Sequence, residues 1–148
     1  MRMIRGVSIV PVKCNVDDRG FLYQIYQITD NVFPDLKRIY VVGNFGQGTV
    51  RGFHKHLEES KCFFVANGTV KFVLVDDTQP KPEINTIVLS SKNPTILVVS
   101  PNIYHGWVSL EENTLLIGMS NKTLDESLKD DFRIDPYTYG DIWAVKDR

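Results

Sequence analysis

Gly48-Thr49-Val50-Arg51-Gly52-Phe53-His54-Lys55-His56, followed shortly by Lys61-Cys62-Phe63-Phe64-Val65-Ala66-Asn67-Gly68, is the stretch on which the fold turns. In an extended strand alternate side chains share a face, so His54 and His56 present two imidazoles side by side. The run 62–66 is short, apolar and rich in aromatic and β-branched residues, which suits a pleated, buried surface. Asn67-Gly68 is the strongest two-residue hairpin signal in the chain. The stretch therefore reads as strand, loop, strand and turn, and it predicts a hairpin at Asn67-Gly68.

The same chemistry recurs on both sides. Apolar runs of four to six residues rich in Val, Ile, Phe and Tyr fall at 39–42, 70–75, 84–89, 96–99, 107–110 and 115–119. Asp76-Asp77, Gln79-Pro80, Asn93-Pro94 and Pro101-Asn102 separate them with turn residues. Val70, Phe72 and Leu74 alternate with Lys71, Val73 and Val75, as in a strand between a core and a second face. Only 124–132 has room for a helix, and a short one. Strands at this spacing predict an all-β antiparallel sandwich or barrel, in one domain spanning residues 1–148.

Composition narrows the function. Of 148 residues, 43% are hydrophobic and 11% aromatic, which excludes a disordered chain. Seventeen basic residues face eighteen acidic ones, so no net positive field recommends nucleic acid or an anionic membrane as a partner. Two cysteines, Cys14 and Cys62, are too few for a disulfide framework or a thiolate zinc site. No apolar run is long enough to span a bilayer, and Arg5 and Ser8 break the N-terminal one, so a cytoplasmic protein without a leader is the expectation.

His54, His56 and His105 are the three histidines, and a barrel could bring His105 opposite the first two. Gly48, His54, His56 and Gly68 fall at the spacings of the first cupin signature, and Pro101 to His105 resembles the second, with Asn102 for its glycine. The resemblance implies a double-stranded β-helix jelly-roll barrel. At the place of the metal-binding glutamate of cupins stands Lys61. An ammonium supplies no lone pair and repels a cation, so no metal and no cofactor are expected.

Asp17-Asp18-Arg19-Gly20-Phe21, Val50 to His54, Pro101 to Trp107 and Gly140-Asp141-Ile142-Trp143 together resemble the dTDP-4-dehydrorhamnose 3,5-epimerase family, over about residues 3–143. Tyr40, with His54 and His56, is also similar to the sister 3,4-ketoisomerases. The resemblance implies a metal-free cupin homodimer that epimerises a nucleotide-linked 4-keto-6-deoxy sugar, with 3,4-ketoisomerisation or a non-catalytic sugar- or metal-binding cupin as alternatives. Carried over position by position, it implies His54 as the base, Asp141 as its carboxylate partner and Lys61 as the cation for an enolate oxygen. It places Arg19, Phe21, Gln24, Asn44, Arg51, His56, Tyr104 and His105 around the substrate. Imidazole suits proton removal beside a ketone near neutral pH, and a guanidinium fork suits a diphosphate. The family's catalytic tyrosine falls on Ile117, which cannot donate a proton. The acid is then water or another residue, with Tyr23, Tyr40 and Tyr104 as candidates.

Overall fold

The computed structural model describes residues 2–27, 32, 33 and 35–146. Its twelve strands are β1 (Val7–Pro11), β2 (Cys14–Asp17), β3 (Gly20–Tyr23), β4 (Arg38–Asn44), β5 (Val50–Lys55), β6 (Lys61–Asn67), β7 (Thr69–Asp76), β8 (Glu83–Ser90), β9 (Thr95–Val99), β10 (Ile103–Ser109), β11 (Thr114–Ser120) and β12 (Phe132–Arg133). One short helix, α1 (Leu124–Leu128), opens with a capping box between Thr123 and Glu126, which satisfies two N-terminal donors reciprocally. One five-stranded sheet has the order β1-β9-β6-β11-β4, the other β12-β5-β10-β7-β8, and β2 and β3 form a separate hairpin. All pairings are antiparallel. This is the all-β cupin barrel the sequence pointed to.

Alternation sorts the side chains as expected. Val70, Phe72 and Leu74 face the interior with Phe63, Val65, Leu97, Leu116 and Trp107. Val73 and Val75 lie behind them with Phe53, Tyr104 and Trp143, on the outer face of the second sheet. The outer face of the first sheet carries Cys62, Phe64, Ile96 and Met119, covered by the N-terminal segment through Tyr23, Ile25 and Phe33.

Asn67-Gly68 corrects one expectation. It joins β6 to β7, which lie in different sheets, so it is a corner and not a hairpin. The turn chemistry is sound, because Gly68 sits at φ +80°, but a Cβ there would come within 2.8 Å of Thr114 Cγ2. The close approach of β11 to this corner is what the glycine serves.

Candidate active site

A cavity of about 480 Å³ opens at one end of the barrel, between the sheets. From the second sheet it receives His54 on β5 and His56 just beyond it; from the first it receives Arg38 and Tyr40 on β4 and Lys61 at the head of β6. The polar end of the barrel is thus the site, while Val65, Val70, Leu89 and Leu116 fill the other end.

Strand register places the imidazoles. His105 and His54 are direct partners across β10 and β5, with a register shift just after His105. Backbone approach is close there: a Cβ on Gly106 would lie 2.6 Å from the Arg51 carbonyl oxygen, and one on Gly52 2.8 Å from Gly106 Cα. The ring centroids of His54 lie 5.0 Å from His56 and 4.7 Å from His105. His105 Nδ1 faces the Ile103 carbonyl at 3.1 Å, and His56 Nδ1 faces the Asp130 carbonyl. Both acceptors lack hydrogens, so each Nδ1 carries the proton and each Nε2 presents a lone pair. Neither Nε2 has a hydrogen-bond partner among the described residues.

His54 Nδ1 lies 3.1 Å from Asp131 Oδ1, near enough for an ion pair although the angle falls short of a hydrogen bond. Arg133 Nε holds the other oxygen of Asp131 at 2.7 Å. Burial, then the charge of Lys61, pushes the His54 imidazolium down to about pKa 3. Burial pushes the His105 imidazolium down as well. Both rings are therefore neutral at physiological pH. Lys61 is buried and its ammonium is destabilised by that burial, while Glu59 at 4.0 Å opposes the loss.

The tyrosines separate cleanly. Tyr104 adjoins His105 on β10 and so points the opposite way, packing on Phe53 and under Lys55; it does not line the cavity. Tyr23 packs on Phe64 outside the first sheet. Ile117 also faces outward. The next residue, Gly118, faces inward, and Tyr40 occupies the space above it: a Cβ there would lie 2.3 Å from Tyr40 Cζ and 2.7 Å from its hydroxyl oxygen. Burial, and next the charge of Glu59, raises the Tyr40 phenol above its ordinary value, so it keeps its proton.

Asp141 is not beside His54. It is exposed, and its carboxylate accepts from the Ala144 N–H at 3.3 Å; the carboxylate at His54 belongs to Asp131. Asn44 is buried and its amide is committed, donating to Thr114 Oγ1 and accepting from Arg51 Nε, so it braces Arg51 at the cavity wall. Arg19, Phe21 and Gln24 stand exposed on or just after the β2–β3 hairpin, with Arg19 paired to Asp17, and none of them lines the cavity. The sequence reading missed Arg38, Glu59, Asp131 and Arg133. A weak signal existed for two of them in Asp131-Phe132-Arg133, where opposite charges two residues apart would share one face of a strand.

One nitrogen from each of His54, His56 and His105 falls within 4.8 Å of the others, so this triad is where a metal would sit. The surroundings do not complete such a site. Lys61 brings a cation to it, and the nearby Glu59 is engaged by Arg38, Ser120 and Ser127.

Neutral imidazole on one wall, with ammonium and phenol on the other, is the equipment of an isomerase that moves a proton on a carbon acid. The chain belongs to the dTDP-4-dehydrorhamnose 3,5-epimerase family, whose model matches residues 2–143. It is similar to the spore coat polysaccharide biosynthesis protein SpsL of Bacillus subtilis (strain 168), 26% identical over 160 residues that take in 99% of this chain and 100% of that one. The dTDP-4-dehydrorhamnose 3,5-epimerase of Bacillus anthracis str. Ames, with TDP and PPi bound, superposes with a TM-score of 0.82 at 23% identity, over 95% of this chain and 86% of that one. QdtA, a sugar 3,4-ketoisomerase from Thermoanaerobacterium thermosaccharolyticum in complex with TDP, superposes with a TM-score of 0.75 at 25% identity, over 91% and 93%.

Proposed function

We propose that the protein epimerises a nucleotide-linked 4-keto-6-deoxy sugar through an enolate, in the making of a polysaccharide. One observation carries the reading: the His54 imidazole and the Tyr40 phenol, groups suited to accept and to donate a proton, stand on opposite walls of one cavity. His54 Nε2, with Asp131 behind Nδ1, takes the proton from the carbon beside the ketone. Asp131 steadies the imidazolium so formed, as a carboxylate does in other histidine dyads. Electrons pass to the ketone oxygen, where the Lys61 ammonium meets the developing charge. Tyr40 then delivers its phenolic proton to the carbon from the other sheet, and the centre is inverted. Arg38, Arg51 and Arg133 offer guanidinium groups to the diphosphate.

A second reading, 3,4-ketoisomerisation, is favoured by the free Nε2 of His56 beside His54. A second acceptor next to the base can relay a proton between neighbouring carbons and so move the carbonyl. Both reactions begin with the same enolate.

The working unit is a homodimer in this reading. β4 is the last strand of its sheet, and it leaves Ile39 and Val41 each 62% exposed. Phe21 and Leu22 on the β2–β3 hairpin are bare as well. A second copy laid on these surfaces would cover them and could bring Arg19, Phe21 and Gln24 to the neighbouring cavity. The nucleotide-sugar is the only partner required, and a cytoplasmic setting suits it.

The test is proton NMR of dTDP-4-keto-6-deoxyglucose with the protein in heavy water. The C3 or C5 proton signal should disappear with the native protein and persist with His54→Asn. Persistence of both signals with the native protein overturns the reading for this substrate. A shifted ketone carbon in the product selects the ketoisomerase.

A further inference from the structure

Glu59 lies in the link between β5 and β6, and its side chain is completely buried. Its Oε1 accepts from Arg38 at 3.1 Å and from the Ser120 hydroxyl at 2.5 Å. Its Oε2 accepts from the Ser127 hydroxyl of α1 at 2.6 Å and lies 3.2 Å from His56 Nδ1. Lys61 Nζ stands 4.0 Å from Oε1. Arg38, His56, Lys61 and Ser127 all line the cavity, and Glu59 does not. A carboxylate withdrawn from water is costly unless paired and hydrogen-bonded on all sides. Here the groups that compensate it are those that face the substrate.

We propose that Glu59 is a positioning residue of the isomerase, holding the Lys61 ammonium charged and His56 in the tautomer whose Nε2 lone pair faces the cavity. The proposal rests on the reading of Lys61 as the enolate's partner. With Glu59 and the Asp130 carbonyl both facing His56 Nδ1, the hydrogen is held there. His56 therefore meets the sugar as an acceptor, and the substrate class gains a requirement: a hydroxyl beside the reacting carbon that can donate to it.

Lys61 is faced by charges from several elements. Glu59 and Asp131 favour its ammonium; burial, Arg38 on β4 and Arg133 on β12 oppose it. His54 and His56 are neutral neighbours. Removing Glu59's charge takes away the largest favourable influence, so the ammonium is lost at lower pH.

The experiment compares Glu59→Gln and Glu59→Asp with the native protein, by kcat and KM across pH. Glu59→Gln should lower kcat about tenfold to a hundredfold, within the span of a lost electrostatic stabiliser, while KM changes a few-fold at most. Its alkaline limb should move down by about one to three pH units, the usual effect of one close opposite charge. Glu59→Asp, which restores the charge, should bring the limb back. A native limb in Glu59→Gln, or equal damage in both variants with the limb unmoved, overturns the proposal. Lys61→Met and His54→Asn run alongside: if these turn over normally, the enolate reading fails, whereas if they are dead and Glu59→Gln is normal, only the positioning role fails. Should Glu59→Gln not fold, the ¹⁵N shifts of His56 in the native protein, assigned by their loss in His56→Gln, decide the tautomer. An Nδ1–H ring supports the proposal and an Nε2–H ring overturns it.

Discussion

Gly118→Ala is the smallest change that asks whether Tyr40 delivers the second proton. The added methyl would lie 2.3 Å from Tyr40 Cζ, 2.4 Å from Cε2 and 2.7 Å from the hydroxyl oxygen. Ordinary carbon contacts begin near 3.5 Å, so the ring must retreat by about 1.2 Å. Its neighbours restrict that movement, since Arg38 lies over the ring at 5.2 Å. Overpacking of this kind costs typically about 1–3 kcal/mol, which a folded barrel survives with a lowered Tm. Displacement of an aligned acid costs about 10²–10⁴ in rate. His54 and Asp131, on the other sheet, are untouched. The variant should therefore still exchange the substrate's α-proton with heavy water while forming inverted product at least a hundredfold more slowly. The assay is parallel NMR of proton wash-out and product formation, with circular dichroism to confirm the fold. Inversion at the native rate would refute the assignment of Tyr40, and loss of exchange together with inversion would refute the division of labour between the two walls.

Other consequences follow from the same geometry. Asp131→Asn should reduce kcat by at least about tenfold, because an amide cannot stabilise the imidazolium of His54, whereas Asp141→Asn should stay within about twofold of native; steady-state kinetics of the two variants checks this. Stability should fall with acid: below pH 6.5 the unfolded chain protonates His54 while the folded chain holds it neutral down to about 3, so the unfolded state binds more protons. The slope approaches about 1.4 kcal/mol per pH unit for each histidine so held, and urea titrations between pH 7 and 5 measure it. Exhaustive chelation should leave turnover unchanged, and added zinc should inhibit by occupying Nε2 of His54; loss of activity on chelation would reassign the triad as a metal centre. By light scattering the native protein should measure as the proposed dimer, and Ile39→Glu with Val41→Glu should measure as a monomer; a native monomer would refute the proposed assembly.

Much of the barrel was legible because its strands carry the signal locally. Val70-Lys71-Phe72-Val73-Leu74-Val75 alternates visibly, and it occupies β7 with Val70, Phe72 and Leu74 inward. His54 and His56 share a face for the same reason. What escaped was long-range. Asn67-Gly68 encodes a turn but not which sheet the next strand joins. Tyr104 and His105 were both assigned to the cavity, yet neither lines it: neighbours on a strand point oppositely, so Tyr104 faces out, and His105 faces in but lies buried against His54 and His56. Asp141 was chosen by its place in a motif, while Asp131 reaches His54 because β12 pairs with β5 across Arg133 and His54. Glu59 had no signal, since its partners Arg38, Ser120 and Ser127 are gathered from three distant elements.

The strand orders β1-β9-β6-β11-β4 and β12-β5-β10-β7-β8 carry a consequence for how the chain reaches this state. Neither sheet is made of a contiguous piece. β6 must await β9 on one side and β11 on the other, and β5 must await β10. Half a chain emerging from the ribosome can therefore complete neither sheet: β1 and β6 wait for β9, and β4 and β5 stay without partners until β10 and β11 arrive in the last third. Such non-local topologies close in milliseconds to seconds rather than microseconds, so this enzyme's hazard is aggregation during synthesis, and the same late strands that finish the barrel bring in His105 and Asp131.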